Sequence, residues 1–316
     1  MQIHSLPRVL VVIGPTGVGK TDAAIRLALH LDTEIISADS MQVYRFMDIG
    51  TAKPSPEQLR MVKHHMVNIV DPSTPFSAGK YREAVIPIIE RLHQRKRIPV
   101  IVGGTGLYIK AVTKGLFAAP DADPSLRKEL LALEDEKKGV LYERLKELDP
   151  DAAERITPND VRRIVRALEV QTKAQRTISE LQRKLTIPLA GEFIKIGLTR
   201  ERRELYGRIE DRVDRMFTAG LVQEVQRVME LHPCYTAMQA IGYKEVSRYL
   251  LGEQSLEETR ALVKRESRRY AKRQYTWFRK EEGIHWVDIT GIGDSGEINR
   301  RIIQTAQERI VDISST

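Results

Sequence analysis

Short apolar runs alternate with longer amphipathic stretches along the first hundred residues. Arg8-Val-Leu-Val-Val-Ile13 is rich in β-branched residues and has no helical period; a glycine-rich turn follows, then Asp22 to Leu31 with apolar positions at helical spacing. Further apolar runs recur at Glu34-Ile-Ile-Ser-Ala38, Met66-Val-Asn-Ile-Val70 and Ile98-Pro-Val-Ile-Val102, and a helical pattern occupies Ala78 to Arg95. Such alternation predicts crossover connections and a largely parallel sheet, an α/β fold. Pro87 interrupts the pattern over 78–95 and is expected to kink or split that helix.

After Gly115-Leu-Phe-Ala-Ala-Pro120 the strand pattern stops, and Asp123 to Arg176 reads as a run of short helices. Asp123-Pro124 and Thr157-Pro158 each place a capping side chain before a proline suited to the first helical position. Strand patterns return at Glu192-Phe-Ile-Lys-Ile-Gly-Leu198 and at Gly283-Ile-His-Trp-Val-Asp288. The expected organisation is a sheet-forming core over 1–118, an inserted helical domain over 119–191, and completion of the core over 192–316. There is no internal repeat.

At 316 residues the chain is long enough for a large core with an insertion, and 41% hydrophobic with 30% charged residues excludes a disordered or fibrous protein. The longest early apolar run, Val9 to Ile13, is too short for a membrane span or a signal-peptide core, so a cytoplasmic protein without membrane association is expected. The single cysteine, Cys234, excludes an internal disulfide framework and a multi-cysteine zinc site, and is expected as a small buried residue. Fifty-one basic against 43 acidic residues leave a net charge of +8. That suits a polyanionic partner or a solvated basic surface, and where the charge sits decides between them.

Gly14-Pro-Thr-Gly-Val-Gly-Lys-Thr21 matches the phosphate-binding P-loop, between a predicted strand and a predicted helix. Its glycines let successive amides converge on one anion, Lys20 neutralises phosphate oxygens, and the Thr21 hydroxyl can ligate Mg²⁺. The loop alone leaves kinase, NTPase and diphosphate-leaving transferase open. Ser37-Ala-Asp-Ser-Met-Gln-Val-Tyr44 lies at the carboxyl end of the second strand, where open α/β sheets place ligands, so Asp39 stands beside the phosphate loop. A carboxylate there can ligate metal, cap a turn or accept a proton. Gly103-Gly-Thr-Gly-Leu-Tyr108 follows a third strand; Gly103, Gly104 and Gly106 are expected to admit a ligand close to the backbone, with Thr105 as a hydrogen-bonding side chain.

Residues 260–280 carry Arg260, Lys264, Arg265, Arg268, Arg269, Lys272, Arg273, Arg279 and Lys280 against one acid, Glu266. On a helix these form two adjacent basic rows, with Val263, Tyr270 and Trp277 expected to anchor the opposite side. Contact with a nucleic-acid backbone is the expected use of that face. Arg162-Arg-Ile-Val-Arg166 is a second basic cluster, in the helical stretch, expected to grip the same strand. His64-His65 is not a metal pair, because adjacent strand residues point to opposite faces.

These segments together resemble the bacterial tRNA dimethylallyltransferases, isopentenyltransferases that prenylate an adenosine beside the anticodon. The resemblance rests on Gly14 to Thr21, Ala38-Asp-Ser-Met-Gln-Val-Tyr44, Asp48-Ile-Gly-Thr-Ala-Lys-Pro54, Val102 to Tyr108, Arg163-Ile-Val-Arg-Ala-Leu-Glu169, Ile241-Gly-Tyr243 and Lys272-Arg-Gln-Tyr-Thr-Trp-Phe-Arg279, which span nearly the whole chain. It implies a P-loop nucleoside-kinase-like core with an inserted helical domain and a basic C-terminal helical region. It also implies dimethylallyl diphosphate as donor, the anticodon stem-loop of tRNA as partner, Mg²⁺ as cofactor, and a monomer. By the same resemblance Gly14, Pro15, Thr16, Gly17, Val18, Gly19, Lys20 and Thr21 hold the donor diphosphate, with Thr21 on the metal. Asp39 accepts the proton of the adenine amine, and Arg212 reaches the diphosphate, with Arg208 one turn earlier as the competing assignment. The residues implied to contact tRNA are Asp39, Ser40, Met41, Gln42, Thr105, Arg127, Arg162, Arg163, Ile164, Val165, Arg166, Gln239, Ala240, Ile241, Gly242, Tyr243, Lys244, Lys272, Arg273, Gln274, Tyr275, Thr276, Trp277, Phe278 and Arg279. Eukaryotic relatives add a zinc finger, which one cysteine cannot form, so no structural metal is expected. Two other readings share the P-loop: an adenylate isopentenyltransferase acting on free AMP, and a metabolite kinase.

Overall fold

The computed structural model describes residues 7–117 and 120–312. They form two compact units, 1–111 with 190–316, and 112–189. The expected boundary at 118/119 lies outside the described residues.

The first unit contains β1 (Arg8–Ile13), α1 (Lys20–His30), β2 (Ile35–Ser37), α2 (Pro56–Met61), β3 (His64–His65), α3 (Ala78–Gln94), β4 (Val100–Gly103) and the start of α4 (Gly106–Thr113). The second contains α5 (Pro124–Glu136), α6 (Val140–Leu148), α7 (Pro150–Arg155), α8 (Val161–Ala174) and α9 (Ile178–Leu185). The chain then returns to the first unit with β5 (Glu192–Thr199), α10 (Arg202–Thr218), α11 (Leu221–Glu230), α12 (Tyr235–Met238), α13 (Tyr243–Leu250), α14 (Leu256–Phe278), β6 (Ile284–Asp288) and α15 (Ser295–Asp312).

The six strands are ordered β3-β2-β4-β1-β5-β6, and every pairing is parallel. Parallel strands lie between covering helices, which is why β1 is a continuous apolar run: Val9 to Ile13 are all buried. Burying each such side chain contributes about 1.5–3 kcal/mol relative to leaving it exposed. β2, β4 and β1 are adjacent, so the loops leaving their carboxyl ends, at 38–42, 104–106 and 14–19, meet on one edge. The second unit is all-helical, with its own core of Leu130, Leu141, Leu145, Ile164, Val165 and Leu168.

Five local expectations are corrected, the last at Cys234. The strand expected at 66–70 is replaced by β3 at His64–His65; Met66 and Asn68 take positive φ of 64° and 56°, which breaks an extended run, and Val70 makes only an isolated bridge to Tyr44. Pro87 does not split α3, because it lies on the exposed side, where water can take the carbonyl left without a donor. Thr157-Pro158 forms a turn, and α8 starts later with Asp160 as its cap, accepting from Arg163 N. The Asp123-Pro124 start of α5 is as expected. The buried stripe of α14 runs through Thr259, Val263, Ser267, Ala271, Gln274 and Phe278, while Tyr270 and Trp277 are only half-buried. The two histidines are structural: His64 Nδ1 contacts Val62 O at 2.8 Å and His65 Nε2 contacts Glu34 Oε2 at 2.5 Å. Cys234 is half-buried, its sulfur 3.9 Å from the Tyr44 hydroxyl.

Candidate active site

Between β1 and α1 the chain takes the positive-φ conformations that glycine permits, at Gly14 (150°), Gly17 (83°) and Gly19 (113°). Gly19 caps α1, so the amides of the first helical turn face the loop's cavity with the positive end of the helix dipole. Lys20 opens the helix and its Nζ donates to Pro15 O at 2.8 Å. Burial, opposed by the Asp39 carboxylate and reinforced by Arg212, brings the Lys20 pKa down to about 7.

The loop is closed from outside by α10, which carries Arg208, Ile209 and Arg212 on one face. Arg212 Nη2 donates to the Thr16 hydroxyl at 2.6 Å, and its buried Nε has no hydrogen-bond partner among the described residues. Arg208 is exposed and its Nε donates to Gly17 O at 3.1 Å. The structure therefore puts Arg212 in the charge cluster with Lys20 and Asp39, and Arg208 on the loop's outer side. Arg200 was not singled out by sequence; buried after β5, it donates to Val18 O at 3.2 Å and Ile289 O at 2.8 Å and pairs with Glu204.

The Thr21 hydroxyl makes no hydrogen bond among the described residues, and no group of three or more His, Cys, Asp or Glu among them could hold a metal ion. One protein hydroxyl beside a phosphate nest is a donor set that fits Mg²⁺, which keeps waters and takes much of its coordination from substrate phosphates.

On the neighbouring strand end, Asp39 Oδ1 accepts from Met41 N at 2.8 Å and Gln42 N at 3.3 Å. The carboxylate thus caps its own turn with one oxygen. Gln42 holds the following loop, donating to Thr51 O and Ala52 O, both at 3.3 Å. Lys53, buried to 4% side-chain exposure, bonds Asp48 Oδ1 at 2.7 Å, Asn68 Oδ1 at 2.5 Å and the Tyr44 carbonyl. Glu224, from α11, accepts from the amides of Asp48, Ile49 and Gly50 at 3.0, 2.8 and 3.0 Å and from the Tyr243 hydroxyl. A Cβ on Gly50 would lie 2.4 Å from the Tyr243 ring.

The third loop corrects the reading of its glycines. They make room for protein, not for a ligand: a Cβ on Gly103 would lie 2.1 Å from Ala38 O, on Gly104 2.1 Å from Gln274 Nε2, and on Gly106 2.2 Å from Trp277 Nε1. Thr105 Oγ1 accepts from Ser40 N at 3.0 Å. Gln274 accepts from Thr16 N at 2.8 Å and donates to Gly104 O at 2.9 Å.

A family model described as IPP transferase matches residues 42–281. The chain belongs to the IPP transferase family. The tRNA dimethylallyltransferase of Thermodesulfovibrio yellowstonii is 51% identical over 309 residues, 95% of this chain and 98% of that protein. Its counterpart in Thermotoga maritima is 46% identical across 93% and 96%. Among solved structures, the full-length tRNA isopentenylpyrophosphate transferase of Bacillus halodurans matches with a TM-score of 0.73 at 40% identity, covering 98% of each chain. A eukaryotic dimethylallyltransferase acting on tRNA reaches 0.80 at 32% identity, covering 97% of this chain and 80% of that one.

Fewer of the motif side chains reach the surface than the sequence leads one to expect. Ile164, Val165, Ala240, Tyr243, Gln274 and Phe278 are buried and present no side-chain surface to a polyanion. Half-buried Tyr275 is tied by its hydroxyl to Thr199 Oγ1 at 3.0 Å. Lys272, Arg273 and Thr276 are exposed on α14 and Arg279 just after it, as is Lys244 on α13. Lys264 and Arg268, by contrast, pair with Asp214 at 2.7 Å and Glu210 at 2.5 Å on α10, acids the α14 sequence does not contain. In the helical unit, Arg127 grips buried Glu169 with two bonds of 2.8 and 2.9 Å, and Arg166 bonds the same carboxylate. Burial raises the Glu169 pKa, but the bonds from Arg127, the Asp123 amide and Arg166 outweigh it and leave the value at about 2. Arg162 and Arg163 are exposed, Arg163 within 3.3 Å of Asp160. No helix of the described residues is long and apolar enough to cross a membrane.

Proposed function

We propose that this IPP transferase moves a dimethylallyl group from dimethylallyl diphosphate to the exocyclic N6 of the adenosine on the 3′ side of a tRNA anticodon. The observation that carries this reading is the Asp39 carboxylate on the strand end beside a phosphate loop lined by half-buried Lys20 and, from α10, half-buried Arg212. Two basic side chains and a ring of amides suit an anionic leaving group better than a neutral substrate. The neighbouring carboxylate suits an attacking nitrogen that must lose a proton.

In the reaction N6 attacks the allylic carbon as the carbon–oxygen bond to diphosphate breaks, and the bonding pair leaves with diphosphate. The N6 proton passes to Asp39, through the carboxylate oxygen not engaged with Met41 and Gln42. Lys20, Arg212 and the loop amides stabilise the charge that develops on the departing diphosphate. Mg²⁺ on Thr21 neutralises diphosphate oxygens when bound. An adenine stacked in an anticodon loop is out of reach, so it is extruded to meet Asp39. The exposed cations of α14 and of the helical unit take the tRNA backbone.

The test offers labelled dimethylallyl diphosphate with Mg²⁺, without ATP, to unmodified tRNA and to free AMP in parallel. Label in the anticodon loop with release of diphosphate is expected. Label in AMP overturns the assignment in favour of an adenylate isopentenyltransferase, and transfer of the γ-phosphate of ATP to a metabolite overturns it in favour of a kinase.

A further inference from the structure

Among the described residues, Phe46 is the large apolar side chain that stands in solvent on a backbone it strains. Its φ is 65°, where a bulky side chain crowds its own main chain and which glycine or asparagine occupies more freely. Met66, the other large apolar residue at positive φ, is 3% exposed, so burial offsets its strain. Phe46 is 56% exposed. Its ring neither packs on another aromatic ring nor carries a cation among the described residues. The fold itself gains little from a ring held there.

Its neighbours hold it in place. Tyr44 and Met47, both fully buried, seat the loop in a cluster with Val225, Ala237 and Tyr243. Arg45 N donates to Val70 O at 2.8 Å, and the Arg45 guanidinium pairs with Asp71 at 3.0 Å. The loop continues the turn that Asp39 caps: Gln42, whose amide donates to Asp39 Oδ1, offers its carbonyl to Asn68 N at 3.1 Å. A fixed, exposed ring therefore stands on the loop that carries the carboxylate. On the same cluster, exposed Lys244 follows Tyr243 and has no carboxylate partner among the described residues.

We propose that Phe46 stacks on an unpaired base of the anticodon loop, other than the acceptor adenosine. Loop bases present faces that aromatic side chains cover. Extruding the acceptor adenosine strips a neighbouring base of its stacking partner, and a ring already fixed in place restores that contact with little ordering cost. Glycine or asparagine would sit more easily at φ 65° but offers no ring, which is why the strain is retained. Lys244 supplies attraction to the phosphates on either side. This role rests on the reading of the chain as a transferase to tRNA.

Binding of an unmodified anticodon stem-loop, without donor, is compared for wild type and for Phe46→Tyr, Phe46→Leu and Phe46→Asn. Tyr is expected to bind within about twofold of wild type, and Leu and Asn about tenfold more weakly. The salt dependence should not change, because a stack releases no counterions. The melting temperature of Phe46→Asn should be no lower than that of wild type, since asparagine relieves the backbone. Wild-type binding by Phe46→Leu overturns the proposal, as does a melting temperature that falls several degrees in Phe46→Asn, which would make the ring a packing residue. A wild-type dimer that Phe46→Asn turns into a monomer would assign the ring to a contact between copies and overturn it too.

Stem-loops lacking one base at a time locate the partner. One abasic position, not the acceptor adenosine, should weaken binding to wild type about tenfold and leave binding to Phe46→Asn unchanged. Equal losses in the two proteins at every position overturn the stack. A wild type that binds the stem-loop but does not prenylate it removes the functional reading and leaves the stack standing; failure to bind removes both.

Discussion

The donor side and the acceptor side of the crevice are both glycine-rich, for opposite reasons. In the phosphate loop Gly14, Gly17 and Gly19 all take positive φ; a Cβ would also crowd Leu198 O at Gly14 (2.7 Å) and Ile209 at Gly17 (2.9 Å) but meet nothing within 4 Å at Gly19, so backbone conformation is the constraint all three share. In the third loop none of Gly103, Gly104 and Gly106 has positive φ, and each would drive a Cβ to 2.1–2.2 Å from another part of the protein. Proximity is the constraint there. A donor site can thus be specified by local sequence, because its amides need only a particular backbone. The acceptor side is specified at long range, by Glu224 under the 48–50 amides and by Gln274 and Trp277 against the third loop.

The largest effect is expected at Asp39, where one residue serves both sides. Asp39→Ala removes the proposed proton acceptor and the turn cap together, and should slow transfer by about two to four orders of magnitude. Asp39→Asn separates the two, because its amide oxygen can still accept from Met41 N and Gln42 N while the charge is gone. Its melting temperature should match wild type and its rate should match Asp39→Ala. Near-wild-type turnover in Asp39→Asn would reduce this carboxylate to a turn cap.

The glycines break the comparison more directly, on a smaller scale. Gly103→Ala sets a methyl against the Ala38 carbonyl, a backbone atom that cannot step aside. A cost of about 3 kcal/mol is expected, lowering the melting temperature by roughly 10 °C. Gly19→Ala meets open space and strains only its own backbone, for about 1–2 kcal/mol; its main loss should be in affinity for the donor diphosphate. Calorimetry on both variants checks this, and equal melting temperatures would mean the two loops are built alike after all.

The same division explains what could be read from the chain. The P-loop, its flanking strand and helix, the all-parallel sheet and the helical stretch follow from periodicity and local motifs. The position of Asp39 beside the phosphate loop follows from the rule that strand carboxyl ends carry ligands. In sequence the third loop looks open to a ligand, because a glycine cluster looks the same whether it yields to a ligand or to Gln274 and Trp277. Glu224 gave no local signal: an acid on an amphipathic helix looks solvated until the 48–50 amides are folded over it. Arg208 and Arg212, one turn apart, were separable only once α10 was docked against Thr16. Met66 and Asn68, apolar and polar in a run that resembles a strand, hid the turn their backbones make.

The smallest effect divides α14 itself, which by sequence is one basic face. Its middle is already neutralised, with Lys264 on Asp214 and Arg268 on Glu210, and Arg269 within 2.8 Å of Glu266. Toward its end Lys272 has no carboxylate partner among the described residues and Arg273 stacks on Tyr270. Only cations that release counterions from phosphate contribute to the salt dependence of RNA binding, at about 0.7 in the logarithmic slope per contact for single strands. Replacing Lys272 and Arg273 by methionine should therefore flatten the slope by up to about 1.4. The same change at Lys264 and Arg268 should leave the slope alone and cost about 1 kcal/mol per half-exposed pair in stability. Filter binding of tRNA across a salt series decides it. Equal flattening by the two double variants would mean that Asp214 and Glu210 release their partners to the RNA, and that the whole helix is one interface.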